Sequence, residues 1–255
     1  PKRKGLDFQP NVWQGETERK YDVFYHLAWA GSAGDGRKDG FLQAENIRNT
    51  LEALALAKKL GCHTFIFAGS IMEAEVEEAK KAGLPSKGTD CYALAKTAAG
   101  NLSRALAKEW GIRHVTGRIT NTFGVGEKSN RLICRLMDAW EKGEVPPLTA
   151  GEQMYDFLYV TDAARAFAAI GEKGMDGKTY IIGSGKPRPL RNWLEEAMAV
   201  TGGKGDFGKI PFSGVSLTES DFDISELEQD TGFCCRVPFA EGIGRLWHWR
   251  KEGRL

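Results

Sequence analysis

Two stretches of this chain share one layout, and that layout restricts the fold more than any other feature. Segments 44–70, "AENIRNTLEALALAKKLGCHTFIFAGS", and 92–120, "YALAKTAAGNLSRALAKEWGIRHVTGRIT", each run from an alanine- and leucine-rich amphipathic stretch through a glycine into a short apolar run. Ile47, Leu51 and Leu54 keep a helical period, Lys58 and Lys59 suit the negative end of a helix, and Gly61 fits the left-handed position after it. Lys108 and Gly111 repeat that ending. The runs "HTFIFAGS" and "HVTGRIT" are short and rich in β-formers, as buried strands are. A third apolar run, "YDVFYHLAWAG" (21–31), comes before them. Strand, helix, strand, helix, strand implies a parallel sheet with helices on its faces. Right-handed crossovers then bring the strand ends to one edge, so His26 to Gly31, Ser70 and Asn121 are expected along it.

The later chain is less regular. "MYDFLYV" (154–160) reads as a strand, "TDAARAFAAIG" as a helix capped by Thr161 or Asp162, and "KTYIIGS" as another strand. "PLRNWLEEAMAVTGG" and "PFAEGIGRLWHWRKE" read as amphipathic helices, the second with Pro238 near its first turn. At 255 residues the chain can bury one core, or a main domain with a smaller appendage. Lysine plus arginine (35) nearly balances aspartate plus glutamate (34), so no strong field recruits nucleic acid or an anionic membrane, and the basic "PKRK" reads as a solvated start. No apolar run reaches the ~18 residues of a membrane span and there is no signal-peptide pattern, so a cytoplasmic protein is expected. The five cysteines and four histidines form no metal-ligand spacing, and no metal is expected.

Tyr92 and Lys96 stand four apart, one above the other on a helix face. Taken alone, such a pair is a packed tyrosine beside a solvated lysine. The context differs: Ser70 ends a strand 22 residues upstream, and Tyr92 begins the next helix. A free tyrosine titrates near ~10, so its phenolate is scarce at neutral pH unless a cation stands close. Lys96, one turn away, supplies that cation.

Seven ordered landmarks carry a resemblance. "YDVFYHLAWAG", "ENIRNT", "FIFAGS", "YALAK", "GRITNTFGVG", "YDFLYVTDAARAF" and "DFDISELEQDTGF" follow one another as the corresponding motifs do in the extended short-chain dehydrogenase/reductases, in their nucleotide-sugar epimerase and dehydratase branch. The chain resembles that family from about Tyr21 to near its end, with UDP-galactose 4-epimerase-like members as the model. The resemblance implies an α/β, Rossmann-like doubly wound parallel sheet and a small C-terminal substrate region. It places the core at residues 1–182, with a substrate-side insertion at about 122–153, and the substrate region mostly at 183–255. It also implies NAD or NADP as cofactor and a nucleotide sugar as substrate. Ser70, Tyr92 and Lys96 would be catalytic, with Ser70 also holding the substrate oxygen and Lys96 the nicotinamide ribose. Leu27, Ala28 and Trp29 would pass beside the cofactor, and Asn46 would tie the next helix to that strand end. Leu27 and Ala28 read equally as plain core, and Asn46 as a helix-surface amide. Asn121 and Arg131 would meet the substrate; as plain residues they are a turn-forming asparagine and a solvated arginine. The helices matching 44–60 and 92–109 would build a homodimer.

The chain also departs from the pattern. Members of this class begin with a strand, a glycine-rich turn and a helix that hold the pyrophosphate. Here the family's fourth strand is reached by residue 21, and "PKRKGLDFQPNVWQGETERK" contains no such turn. The glycine-rich "GSAGDGRKDG" (31–40) follows that strand and reads as a substrate-side loop. An incomplete chain, a part supplied by another chain, or lost cofactor binding each fits; the last would make this a non-catalytic remnant. The strand near 21–28 would then be a sheet edge. Dehydratases of the family carry Asp-Glu after the serine or threonine, whereas Ile71 and Met72 follow Ser70, so water elimination is disfavoured. Ala74 stands where an aromatic is usual, which would widen the pocket, and Tyr155 replaces an arginine that meets the diphosphate. What remains suits oxidation and reduction at one carbon, as in an epimerase or a 4-keto-sugar reductase.

Overall fold

The computed structural model describes residues 20–252; the basic start and almost all of the stretch without a glycine-rich turn lie outside them. Four parallel strands form the main sheet, in the order β1 (Val23–His26), β2 (Thr64–Ser70), β3 (Arg113–Ile119) and β7 (Thr179–Ile182). Helix α1 (Gly40–Lys59) connects β1 to β2, and α3 (Asp90–Glu109) follows a shorter α2 (Met72–Lys81) on the way to β3. As the spacing predicts, α1 and α3 each end at a left-handed glycine, Gly61 at φ 76° and Gly111 at φ 65°. β1 and β7 are the two edge strands of this sheet among the described residues.

Period-two alternation in β2 builds two cores from one strand. Phe65 and Phe67 point to one face and pack with Leu54 and Ala57 of α1 and Ala99 and Ala107 of α3. Ile66 and Ala68 point to the other, against Ala166, Phe167 and Ile170 of α5 (Val160–Lys173) and Leu227 of α7 (Ser225–Thr231). Helices thus cover both faces, a Rossmann-like doubly wound arrangement.

The expected strand at 154–160 is two shorter ones. β5 (Met154–Tyr155) pairs with β8 (Arg188–Pro189), and β6 (Phe157–Tyr159) pairs with β4 (Asn121–Phe123). Between them Asp156 is fully buried, taking the Ser184 backbone N–H at 2.7 Å, the Ser184 hydroxyl and the Thr120 hydroxyl at 3.1 Å. These donors turn its carboxylate inward and divide the run. Around this corner α4 (Leu132–Glu141), α6 (Leu190–Thr201) and α8 (Phe239–Lys251) enclose an aromatic core of Phe123, Phe157, Tyr159, Trp193 and Phe239. Trp193 meets Phe239 at 4.8 Å and Phe157 at 5.7 Å, both edge to face.

The expected cap of the helix after this run differs too. α5 begins at Val160 without a side-chain cap, and Asp162 sits in its first turn. The Asp162 carboxylate instead takes the backbone N–H groups of Arg236 at 2.8 Å and Val237 at 2.9 Å, and pairs with Arg165. It fastens the segment leading into α8 to the sheet domain.

Candidate active site

β2 delivers Ser70 to the C-terminal edge of the sheet, and α3 delivers Tyr92 and Lys96 from its first two turns. Small residues let α3 lie close to the sheet: a Cβ on Gly100 would stand 3.2 Å from the Phe67 ring. The three chemical side chains meet in a cleft of about 560 Å³, which Leu27, Trp29, Asn121 and Arg131 also line.

Lys96 is buried, and its Nζ donates to the Ala68 carbonyl at 2.7 Å. Nζ also stands 3.9 Å from the centre of the Trp29 ring. No carboxylate lies within ion-pair distance of it among the described residues. Burial pulls its pKa down to about 7, against a smaller opposite pull from Glu73. Tyr92 is buried and lines the cleft together with Ser70. Burial raises its pKa; the neighbouring Ser70 hydroxyl and the charges of Arg37 and Arg131 lower it, and Glu73 raises it. The lysine is therefore not the solvated residue that a chance pair would show.

Asn46 is buried and exchanges two hydrogen bonds with the Ala30 backbone, at 3.0 and 2.9 Å. It ties α1 to the end of β1 and, like Ala28, does not line the cleft. Asn121 opens strand β4 instead of a turn, and its Nδ2 donates to the Asp156 carbonyl at 3.2 Å. Arg131 is exposed, as a solvated arginine would be, and is also held by Glu127 at 2.7 Å and the Thr122 carbonyl at 2.8 Å. Ala74 does not itself line the cleft: it is buried with Ile71, Leu217 and Phe222.

Four further residues belong to this neighbourhood. Glu73 is buried and accepts the Ser70 backbone N–H at 2.6 Å, with Arg118 at 3.4 Å on its other oxygen. Ser-x-x-Glu at 70–73 was the readable signal for that reach-back. Glu75 lines the cleft, its carboxyl pKa raised by burial and lowered by Arg37. Tyr155 lines it too, its phenol pushed up to about 12 by burial. Arg37 reaches it from the loop after β1, with no local sequence signal.

A family model described as "NAD dependent epimerase/dehydratase family" matches residues 9–183. A dTDP-glucose 4,6-dehydratase of Escherichia coli is 29% identical over 175 residues, which cover 62% of this chain and 47% of that protein. The chain spans about half the length of this relative and of a dTDP-glucose 4,6-dehydratase of Streptomyces niveus. Among solved structures, the UDP-N-acetylglucosamine 4-epimerase of Methanobrevibacter ruminantium M1, in complex with UDP-N-acetylmuramic acid, superposes with a TM-score of 0.75 at 22% identity, covering 92% of this chain and 78% of that one. The UDP-glucuronic acid 4-epimerase of Bacillus cereus, in complex with NAD, gives 0.71 at 19%, covering 91% and 73%. At these identities the likeness to the solved structures is one of fold.

Proposed function

Because this chain belongs to the NAD-dependent epimerase/dehydratase family, we propose that its cleft epimerises one carbon of a nucleotide sugar through a transient keto sugar, with NAD or NADP. The observation that carries the reading is the convergence of Ser70, Tyr92 and Lys96, with Lys96 buried and without a carboxylate partner among the described residues. A desolvated amine with one carbonyl acceptor suits ribose hydroxyls, and Leu27 and Trp29 offer an apolar wall beside it. These residues fit the nicotinamide end of the cofactor. When bound, the nicotinamide supplies the hydride acceptor and donor.

Tyr92 takes the proton of the hydroxyl on the reacting carbon and returns it, while Ser70 holds the same oxygen. Lys96 holds the ribose and lends positive charge to the phenolate. Asn121 and Arg131 would meet the sugar nucleotide, and the region from 183 onward would close over it. Ile71 and Met72 after Ser70 leave no acid–base pair there, so the reaction proposed stops short of the elimination named for the E. coli relative. A homodimer through α1 and α3 completes the reading; Leu94 and Leu102 of α3 are exposed. Light scattering is expected to give twice the chain mass, and a monomer would remove that part.

The test begins with NADH and NADPH titrations followed by fluorescence and calorimetry, then a screen of UDP- and dTDP-sugars with products identified by NMR. Tyr92→Phe is expected to reduce turnover by about 10²–10⁴-fold with the circular dichroism unchanged. Undiminished turnover would end the reading.

A further inference from the structure

Arg37 comes from the glycine-rich loop after β1, in a 3-10 turn spanning Gly34–Lys38. The loop is built, not loose. Gln43, 1% exposed, donates to the carbonyls of Gly31 at 3.1 Å and Gly36 at 2.8 Å, and accepts the Trp29 indole N–H at 2.8 Å. A Cβ on Gly36 would stand 2.6 Å from the Gly31 Cα, so the turn closes this tightly only with glycine. Arg37 Nε then donates to the Ser32 carbonyl at 2.7 Å, which sets the guanidinium 5.0 Å from the centre of the Tyr92 ring.

The other charges around Tyr92 make this placement matter. Lys96, on the same helix, lies 6.0 Å from the ring centre. Its amine is pulled down to about 7, so near neutral pH much of that charge is absent before any ligand arrives. Arg131, ahead of α4, is paired with Glu127. Glu73 of α2 opposes a phenolate, and Glu75 of the same helix faces Arg37. Arg37 has no carboxylate within ion-pair distance among the described residues, and a guanidinium keeps its charge at every pH a protein survives.

We propose that Arg37 is a positioning residue for Tyr92: from a separate loop, it holds a permanent positive charge over the ring and stabilises the phenolate used in proton transfer. The proposal rests on the reading of Tyr92 as the acid–base group, yet its test does not need turnover. The chain is labelled with 3,5-difluorotyrosine, whose phenol titrates near neutrality, and followed by fluorine NMR. Tyr92→Phe assigns one of the six tyrosines. In Arg37→Gln the Tyr92 midpoint is expected to rise by about 0.5–1 pH unit, and Arg37→Lys, which keeps charge and stem, is expected to restore most of it. The remaining tyrosine signals report that each variant is folded. An unmoved midpoint in Arg37→Gln overturns the proposal, as does an equal shift in Arg37→Lys, since packing would then be the cause. If Tyr92→Phe keeps full turnover while the midpoint moves as expected, the coupling stands and the catalytic reading falls.

Discussion

The sheet half and the aromatic corner of this protein are held together differently. Between the sheet and its helices the buried set includes His26, Gln43, Asn46, Lys96, Ser103 and His114, each needing a partner inside the protein. His26 meets Thr50 at 3.0 Å and His114 meets Ser103 at 2.9 Å, while His114 Nδ1 has no hydrogen-bond partner among the described residues. The corner around Trp193 is mostly ring against ring. The half that holds the candidate site therefore gives up stability to keep several polar groups in place, and the core beside it is mostly aromatic, with the carboxyl of Asp156 buried at its turn.

The largest test strikes the corner. Trp193→Ala removes a 3%-exposed indole and its bond to the Tyr155 carbonyl at 2.9 Å. A loss of about 3–5 kcal/mol is expected in urea unfolding; a loss below about 1 kcal/mol would show that the corner does not hold the fold.

Acid should strike the sheet half. Burial, first, and neighbouring Lys96 or Arg104 lower His26 and His114 from 6.5 to about 4. Their folded pKa lies below the unfolded one, so the stability they contribute is complete above pH 6.5 and is lost as pH falls through 4. Asp156, raised by burial, works the other way. A net loss of stability is expected as pH falls across that window, read from urea midpoints at each pH, and Trp193→Ala should leave the slope unchanged. A flat profile would break the contrast.

The smallest effect has the opposite sign. Lys96→Met relieves the cost of a buried ammonium but orphans the Ala68 carbonyl, for an expected gain of about 2 kcal/mol at pH 7 without cofactor. The folded pKa of Lys96 is depressed, so the wild type recovers as pH rises from about 7 toward 10.5 and the gain shrinks. A destabilised variant would mean that Lys96 is structural.

The same division decides what could be read in advance. Long helices with lysine near their ends and glycine after them are local signals, so α1, α3 and the strands they feed were legible, and with them Ser70, Tyr92 and Lys96. Two- and three-residue strands have no period to detect. β4, β5, β6 and β8 exist because distant segments pair, and the inward turn of Asp156 depends on Ser184, 28 residues away. Asp162 failed as a cap for a similar reason: the better donors were the N–H groups of Arg236 and Val237. Arg37 reaches Tyr92 only through a folded loop, which no spacing announces.

The registers of the parallel sheet carry a consequence for the time course of folding. Val23 pairs with Thr64, Thr64 with Arg113 and Thr116 with Thr179. Each pairing closes a loop of about forty to sixty residues before it gains a hydrogen bond, whereas α1 and α3 form from neighbours. Helix formation therefore runs ahead of sheet assembly, and Ser70, a strand residue, joins Tyr92 and Lys96, two helix residues, only in the late, slow step.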